Sequence, residues 1–451
     1  MEDGAGNSLG DRLEQGRATR SAVPRTAHAG WGPARKRADP VKVLQRGNVG
    51  RIQALVPIRF GRMAKTPFTF YRGAAAVMAA DLAHTPTNGL SVQASGDCHM
   101  SNFGLFATPE RNVVFGMNDF DETLPGPWEW DVKRLAASIV LAGRDSRMRP
   151  SDILAIVAGC VGTYRTRMRE LAQLGPLDTW YDRLDSNQLL SEAPDKDARR
   201  QREKIDAQAR SRVGDSLVPK MVTRDGDQMR IIDQPPLLFH QDRDEMMQVA
   251  AEFMDDYRSS LAGDRQVLLH RYRVEDVATK VVGVGSVGTR CLAVLLSVDG
   301  AHPLFLQVKE ARKSVLEPYV GSGSLKHEGE RVVVGQRLLQ PASDIFLGWA
   351  TGRRGNDFYV RQLRDMKLSI TLFKKTSVLA NYCNYCALAL ARGHANTGDA
   401  AAIAGYLGNS STFDEAIADF AVAYADQTEI DHAGLVQAIA DGRVEAVDET
   451  A

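Results

Sequence analysis

Hydrophobic positions follow two different spacings along this chain. Spacings of three and four residues, which place apolar side chains on one face of a helix, dominate both ends, while short apolar runs bounded by turn residues, typical of strands, fill the segment 276–365. The pattern therefore predicts an α+β fold, with a small β-rich lobe joined to a larger, mainly helical lobe. Helices are predicted near 74–82, 128–212, 244–261, 382–394, 413–425 and 435.

The β-rich segment contains a glycine-rich loop between two predicted strands. Residues 280–282 enter the loop 283–288, and the chain leaves through the apolar run 291–296. A dinucleotide-binding fold requires a helix after such a loop, but here a second strand reaches the hairpin signal at 299–300 and returns to end in Lys309. A kinase small lobe binds its nucleotide beneath elements in the same order: a strand, a glycine loop, a second strand, a turn, and a third strand that ends in lysine.

The glycine loop is therefore interpreted as a phosphate cradle, since the absence of a Cβ lets the backbone approach a triphosphate. Lys309 is expected to contact the α- and β-phosphates, although an ordinary lysine at the end of a strand would give the same local pattern. The loop residues assigned to ATP are Gly283, Gly285, Ser286 and Gly288.

A carboxylate on the helix after Lys309 is expected to hold its ammonium group in place. Both Glu328 and Glu330 stand near the start of that helix, and Glu330 is preferred. Two further strands, predicted at 345–347 and 358–360, would complete the sheet and lead to a hinge near Leu363.

An earlier cluster of polar residues predicts the chemistry. Asp97 is followed five positions later by Asn102, and after a short apolar strand at 112–117 come Asp119 and Asp121. Kinase-type phosphoryl-transfer enzymes place a base beside metal ligands with this spacing. Asp97 is expected to orient or deprotonate an acceptor hydroxyl, and the oxygens of Asn102, Asp119 and Asp121 suit Mg²⁺ that bridges phosphates.

Other interpretations of single residues stay open at this stage. Asp, Asn and Gly clusters also occur in ordinary turns, where side chains bond to their own backbone. His99 is given no catalytic role, and Arg72 suits either a phosphate contact or a structural salt bridge. Cys383 and Cys386 form a lone CxxC on one face of a predicted helix, a pattern that indicates burial more than metal binding.

Composition excludes several classes of function. The chain has 451 residues, enough for two or three compact units, and its 56 basic residues balance 56 acidic ones, so general nucleic-acid binding is not expected. No apolar run reaches the ~20 residues of a membrane span, and no secretory signal begins the chain. Five scattered cysteines are unlike a disulfide framework, and a cytoplasmic location is expected.

The domain organisation follows from these shifts in pattern. The start of the chain is rich in Gly, Ala, Pro and Arg without periodicity, which predicts a mobile basic tail. The predicted units are a tail at 1–50, the catalytic part of the large lobe at 51–215, a connecting helical segment at 216–275, the small lobe at 276–365, and C-terminal helices that pack on the large lobe at 366–451.

From about Arg59 to Ala440 the chain resembles a bacterial family known as domain of unknown function 2252 (DUF2252). The resemblance names relatives without naming a reaction. It is carried by the stretches 70–73, 96–104, 118–122, 130–131, 281–290 and 424–427.

A shorter stretch resembles the aminoglycoside and choline phosphotransferases. Their Gly-Asp-x-His-x-x-Asn motif matches 96–102, and their Asp-Phe-Asp-like metal motif matches 119–121. The resemblance implies that Asp97 is the catalytic aspartate, that Asn102 and Asp119 hold Mg²⁺, and that Asp131 is the buried aspartate that braces the catalytic loop. Ser95 departs from the pattern, because those enzymes often have histidine there.

The order of the two motifs is reversed relative to ordinary kinases, in which the glycine loop and lysine come first. We therefore expect a protein-kinase-like bilobal fold in circularly permuted order, which packed lobes tolerate when the cuts fall in exposed loops. The expected function is ATP-dependent, Mg²⁺-assisted phosphoryl transfer to an unknown small molecule or protein. The alternatives are AMP transfer on the same fold and a nucleotide-binding pseudokinase without turnover.

Overall fold

The computed structural model describes residues 8–187, 196–210, 221–226, 228–363 and 375–447. Two predicted domain boundaries, at 215/216 and 365/366, lie outside the described residues, as does the start of the predicted tail at 1–7.

Helices build most of the described chain, and none of those described is long and apolar enough to span a bilayer. In chain order they are α1 (Leu9–Ala18), α2 (Pro40–Arg46), α3 (Val56–Ala64), α4 (Pro67–Gly73), α5 (Ala75–Leu82), α6 (Trp128–Asp145), α7 (Pro150–Leu171), α8 (Pro176–Tyr181), α9 (Lys196–Arg210), α10 (Arg243–Ser259), α11 (Gly263–Leu269), α12 (Glu317–Val320), α13 (Glu328–Leu339), α14 (Thr376–Thr397), α15 (Ala400–Leu407) and α16 (Thr412–Ala440).

Strands form one six-stranded sheet and several smaller ones, so the predicted α+β class is confirmed. They are β1 (Ser91–Ala94), β2 (Phe103–Ala107), β3 (Val113–Met117), β4 (Leu124–Pro127), β5 (Leu184–Asp185), β6 (Val222–Asp225), β7 (Gln228–Ile231), β8 (Leu238–Phe239), β9 (Arg273–Lys280), β10 (Cys291–Val298), β11 (Ala301–Glu310), β12 (Gly348–Thr351) and β13 (Asp357–Gln362).

The large sheet is antiparallel in the order β12-β13-β11-β10-β9-β8. The predicted strand, glycine loop, strand and hairpin are confirmed: the loop joins β9 to β10, and Asp299 and Gly300 turn the chain with positive φ angles of 51° and 65°. Positive φ at both central residues matches the right-handed twist of the flanking strands. The strand predicted at 345–347 begins later, at Gly348, because Phe346 and Leu347 pack in the core before the sheet starts.

Two hydrophobic cores cover the two faces of this sheet. Alternate side chains of β10 point to opposite faces, so Val294 packs with Met254 and Tyr257 of α10, while Leu295 packs with Met229 of β7. The segment 216–275 was predicted to be a helical connection. Its described residues instead include β6 to β8, of which β8 joins the sheet, and two helices.

The largest core joins both ends of the chain. It contains buried residues from 71–172 and from 379–425 together with residues between 311 and 359, among them Val332 of α13 and Tyr359 of β13. Within it α14 packs along α7 while α16 packs along α6. The C-terminal helices therefore pack against α6 and α7, the two helices that follow the segment between β1 and β4.

Residues 8–50 differ from the predicted mobile tail, because they form α1, α2 and short 3₁₀ turns packed on the C-terminal helices. A Cβ on Gly16 would lie 1.8 Å from the carbonyl oxygen of Ala402, so α1 and α15 are in close backbone contact. The guanidinium of Arg37 binds both Asp81 and Asp431. The basic composition suggested solvated disorder, but this arginine neutralises carboxylates buried between helices.

The C-terminal end also differs from prediction, since the helices expected at 413–425 and near 435 are one continuous helix, α16. Polar residues between them suggested a break. Asp426 and Glu429 instead pair with Arg144 of α6, so the polar turn faces a cation.

Candidate functional site

The loop after β1 carries the motif predicted to be catalytic, and Asp131 holds this loop in place. The carboxylate of Asp131, in the first turn of α6, accepts hydrogen bonds from the backbone N–H of Ser95 at 2.6 Å and of Gly96 at 3.0 Å. Gly96 has φ +78°, and a Cβ there would lie 2.4 Å from the carbonyl oxygen of Glu122, so this position requires glycine. His394 of α14 lies 3.2 Å from the same carboxylate. Three other chain segments, at Glu122, Asp131 and His394, therefore surround the start of the loop.

Asp97 projects from this loop and is held on one side by Arg134. Both Nε, at 2.7 Å, and Nη2 of Arg134 donate to Oδ1 of Asp97, while Oδ2 lies 3.9 Å from Nε2 of His99. The Arg134 side chain is buried, with its guanidinium 4.4 Å from the centre of the Tyr71 ring, and the Asp97 side chain keeps 19% of its surface exposed. The carboxylate is thus fixed in direction and open on its Oδ2 side.

Asn102 and Asp119 are brought together by the β2–β3 hairpin. Phe103 pairs with Met117, and the N–H of Asn118 donates to the carbonyl oxygen of Asn102 at 2.8 Å, so the two predicted ligands emerge at the same end of the hairpin. The side-chain amide of Asn102 donates to the carbonyl oxygen of Asp97 at 2.9 Å. Its side-chain oxygen therefore remains as the acceptor that can serve a cation.

Asp121, which was predicted to be a metal ligand, is the partner of Lys309 in this structure. Nζ of Lys309 donates to Oδ2 of Asp121, and the hydroxyl of Tyr359 donates to Oδ1 at 2.8 Å. Burial disfavours the charged form of Lys309, but the adjacent Asp121 carboxylate outweighs it and holds the pKa of the lysine well above its ordinary value. Lys309 is thus a buried ammonium group and not a surface lysine.

The predicted pairing of Lys309 with Glu330 is not formed. The carboxylate in contact with the ammonium comes from the acidic loop at 119–122, whereas Glu328 pairs with Arg331 one turn along α13. Arg331 in turn donates to the carbonyl oxygens of Thr123 at 2.6 Å and of Asp121 at 2.9 Å. Arg331 of α13 therefore stabilises the acidic loop. The acidic loop in turn provides the carboxylate for Lys309 that was expected to come from α13.

The glycine loop lies over this ion pair. The hydroxyl of Ser286 donates to Oδ2 of Asp121 at 3.1 Å, and Gly283 and Gly288 have positive φ angles of 65° and 85°. The segment before α3 holds the loop from behind, because Ile52 N–H donates to the carbonyl oxygen of Gly288 at 2.7 Å. The sequence-predicted loop residues thus meet the residues of the acidic loop in space.

Two cavities open on either side of the glycine loop. The first, here called the Lys309 cavity, has about 570 Å³ and is lined by residues that include Lys280, Lys309, Arg361 and Leu363. The second, here called the Asp97 cavity, has about 690 Å³ and is lined by residues that include Arg51, Asp97, His99, Asp121 and Glu122. The wall shared by both consists of Arg72, Asn102, Asp119, Gly283 and Ser286.

Burial shifts the pKa of several groups around the Asp97 cavity. Desolvation raises the pKa of Glu122 to about 7, although the N–H of Val315 donates to its carboxylate at 2.7 Å. Desolvation lowers the pKa of His99 to about 3, so its ring is neutral at physiological pH. Perturbed titratable groups in a cleft are a mark of functional sites.

Several residues of the site carry no local sequence signal. Arg134, Arg331 and Arg361 lie within ordinary helix or strand patterns, and their roles depend on partners far away in the chain. One signal was available: Arg134 follows Asp131 by three positions on a helix, so both side chains face the same loop. His394 of α14 likewise depends on a distant partner, since its Nε2 lies 3.2 Å from Oδ2 of Asp131.

The oxygen donors suited to a cation are those of Asn102 and Asp119 on the shared wall. Within the described residues, no group of three or more His, Cys, Asp or Glu side chains is placed to hold a metal ion alone. Cys383 and Cys386, the lone CxxC, are both buried on α14 with free thiols. Mg²⁺ typically takes one or two protein oxygens and completes its shell with water and phosphates, so the donor set fits a metal that arrives with a nucleotide.

Comparison with known proteins gives one match. A family model with the description "Uncharacterized protein conserved in bacteria (DUF2252)" matches residues 51–438. No curated protein and no solved structure matches the chain.

Proposed function

The chain belongs to the bacterial DUF2252 family, and from this premise and the site we propose that it is an ATP-dependent phosphotransferase that acts on a hydroxyl or amine acceptor with Mg²⁺. The cysteines of the described chain are free and buried, which suits a reducing cytoplasm.

One observation carries the proposal. The glycine loop and Lys309 lie far along the chain from Asp97, Asn102 and Asp119, yet both groups line two cavities that share one wall. The contact between them is direct, since Lys309 and Ser286 both donate to Asp121. A base, hard oxygen ligands, a lysine and a glycine loop around a common space are the parts that phosphoryl transfer requires.

The arrangement of elements supports a kinase-like bilobal fold in permuted order. The run from β9 to β13 contains a strand, the glycine loop, a strand, the lysine strand, a helix and two further strands, which is the plan of a kinase small lobe. The catalytic loop lies on the helical layer built from both ends of the described chain. In this proposal the C-terminal helices complete the large lobe that the segment 51–187 begins.

The residues then take the following roles. The base and ribose occupy the Lys309 cavity and the acceptor occupies the Asp97 cavity, so the terminal phosphate lies at the shared wall. Lys309 contacts the phosphates, and Asn102 and Asp119 hold Mg²⁺, which neutralises phosphate charge when bound. Oδ2 of Asp97 accepts the proton of the acceptor hydroxyl, while Arg134 keeps Oδ1 fixed. Asp121 positions Lys309 in place of a helix glutamate.

AMP transfer is the second candidate, and the size of the Asp97 cavity favours it. At about 690 Å³ this cavity is no smaller than the Lys309 cavity, so a nucleotide in the reversed orientation has room for its base there. The transferred group would then be the α-phosphoryl with its nucleoside, and pyrophosphate would leave.

The test is an assay of the full chain with ATP and Mg²⁺, using calorimetry for binding and chromatography for products. Phosphoryl transfer, even to water, predicts ADP as the product, whereas AMP transfer predicts pyrophosphate. Asp97→Asn is expected to retain ATP affinity within about threefold and to lower turnover by at least 10²-fold. Asp119→Ala is expected to weaken Mg²⁺-dependent binding.

Two outcomes of this assay separate the remaining cases. If ATP binds but neither ADP nor pyrophosphate forms above the rate of Asp97→Asn, the protein is a nucleotide-binding pseudokinase. If ATP does not bind at millimolar concentration, the proposed nucleotide site is wrong.

A further inference from the structure

Arg72 occupies a place in the site that none of the assigned roles uses. It lies in the last turn of α4, and its side chain contributes to the wall shared by the two cavities. Its charge interacts favourably with the carboxylates of Asp97 and Asp119, which line the same cavity. The tip of the glycine loop passes close by, since a Cβ on Gly285 would lie 3.4 Å from the carbonyl oxygen of Arg72.

The guanidinium of Arg72 is not committed to the fold. Its Nε is buried without a hydrogen-bond partner, and no ion pair or hydrogen bond links the guanidinium to the residues that the structure describes. Other buried arginines behave differently: Arg134 binds a carboxylate through two nitrogens, and Arg331 donates to three backbone carbonyls and to Glu328. Leaving a buried donor unpaired is unfavourable, so the position indicates an anionic ligand.

A second unpaired group lies at the same site. His99 is 2% exposed, and its Nδ1 has no hydrogen-bond partner among the described residues although the ring lines the Asp97 cavity. The other cations nearby are occupied, because Lys309 pairs with Asp121 and Arg361 donates to Gln307 and to the carbonyl oxygen of Asn118. Arg72 is thus the available cation at the junction of the two cavities.

We propose that Arg72 binds the terminal phosphoryl group of ATP and stabilises it during transfer. This inference rests on the proposed function. In the step, the acceptor oxygen forms a bond to the γ-phosphorus, the bond from that phosphorus to the β,γ-bridging oxygen breaks, ADP leaves, and the acceptor proton passes to Asp97. Arg72 balances the charge on the equatorial oxygens of the transferred group, as an arginine supplied within the same chain does in other phosphoryl-transfer enzymes.

The experiment measures ATP and ADP affinity, with Mg²⁺, and ADP release in wild type, Arg72→Ala, Arg72→Lys and Arg149→Ala. Arg149 is a matched control, because its side chain is 81% exposed and pairs with Asp152 on the surface. Removing a contact to the γ-phosphate is expected to weaken ATP binding about ten- to hundredfold while ADP binding changes less than about threefold. Turnover is expected to fall by about 10³-fold or more.

Arg72→Lys keeps the charge without the planar fork, so we expect it to recover much of the ATP affinity and little of the turnover. Equal losses of ATP and ADP affinity in Arg72→Ala, or no loss of either, would overturn the inference. If that happens while the wild type binds ATP and releases ADP, the proposed function stands and the role of Arg72 falls. If the wild type binds no ATP, both fall together.

Discussion

Single buried charges hold the loops of the site in place. Asp131 and Arg134, one turn apart on α6, bind the backbone and the carboxylate of the same catalytic loop. Arg331 donates to a backbone carbonyl of the acidic loop, and Asp121 of that loop pairs with Lys309. Because each charge has a partner from another segment, these loops are held by hydrogen bonds and ion pairs to charged side chains elsewhere in the chain.

The pair of Lys309 and Asp121 is expected to be strongly coupled. Asp121→Asn alone leaves the buried ammonium group of Lys309 uncompensated and is expected to lower the free energy of unfolding by about 3 kcal/mol. Lys309→Met leaves a carboxylate that is 27% exposed, so its loss is expected to be smaller. The double variant removes both charges, so its loss is expected to be well below the sum of the two. Urea unfolding of the four proteins measures this cycle. Additive losses would show that the two groups do not interact.

Glu122 makes stability depend on pH. Burial raises its pKa in the folded protein to about 7 from an ordinary 4.5, so the folded state holds a proton that the unfolded chain loses between these values. The stability from this carboxyl is complete below pH 4.5 and is lost as pH rises through 7. Glu122→Gln is therefore expected to gain stability relative to wild type, by about 1–3 kcal/mol, between pH 5 and pH 8.

Chemical unfolding at both pH values checks this prediction. Glu445→Gln changes an exposed glutamate and is expected to show no such gain. A difference between wild type and Glu122→Gln that is constant with pH would contradict the raised pKa.

Among the elements, the N-terminal segment packs on the C-terminal helices and contributes to the site. The residues before α3 support the glycine loop, and Arg37 joins α5 to α16 through Asp81 and Asp431. Sequence periodicity predicted neither feature, because short turns and arginines give no apolar pattern. The partners of those arginines lie in distant helices, which a local window does not contain.

Removal of the Arg37 side chain is expected to be strongly destabilising. Its exposure is 12%, and Asp81 and Asp431 are each 6% exposed, so Arg37→Ala leaves two buried carboxylates without their cation. We expect the free energy of unfolding to fall by about 3–5 kcal/mol. The surface arginine variant Arg149→Ala is expected to lose less than about 1 kcal/mol in the same urea titration. Equal effects of the two substitutions would show that the N-terminal segment is not held by this contact.

Some elements could be predicted because their signal is local. The hairpin at 299–300, the strand after the glycine loop and the strand at 113–117 all depend on neighbouring residues, and each is present. The site as a whole depends on which carboxylate reaches Lys309. That carboxylate belongs to Asp121, which lies 188 positions from Lys309 in the chain. Local spacing instead suggested Glu330, on the helix that follows Lys309.

At the scale of the whole molecule, both ends of the described chain build one helical layer and the middle builds the sheet. The largest core contains residues from 71–172 and from 379–425 and also reaches α13 and β13 through Val332 and Tyr359, while two other cores lie on the faces of the sheet. This connectivity is compatible with the proposed permuted fold, because the glycine loop and the acidic loop at 119–122 are in contact without being near in the chain.

The most direct test of the central claim is a crystal structure of the full chain with a non-hydrolysable ATP analogue and Mg²⁺. We expect the base in the Lys309 cavity, the metal on Asn102 and Asp119, and the terminal phosphate at the shared wall beside Arg72 and Asp97. A nucleotide bound away from the glycine loop and Lys309, or no nucleotide at saturating concentration, would contradict it.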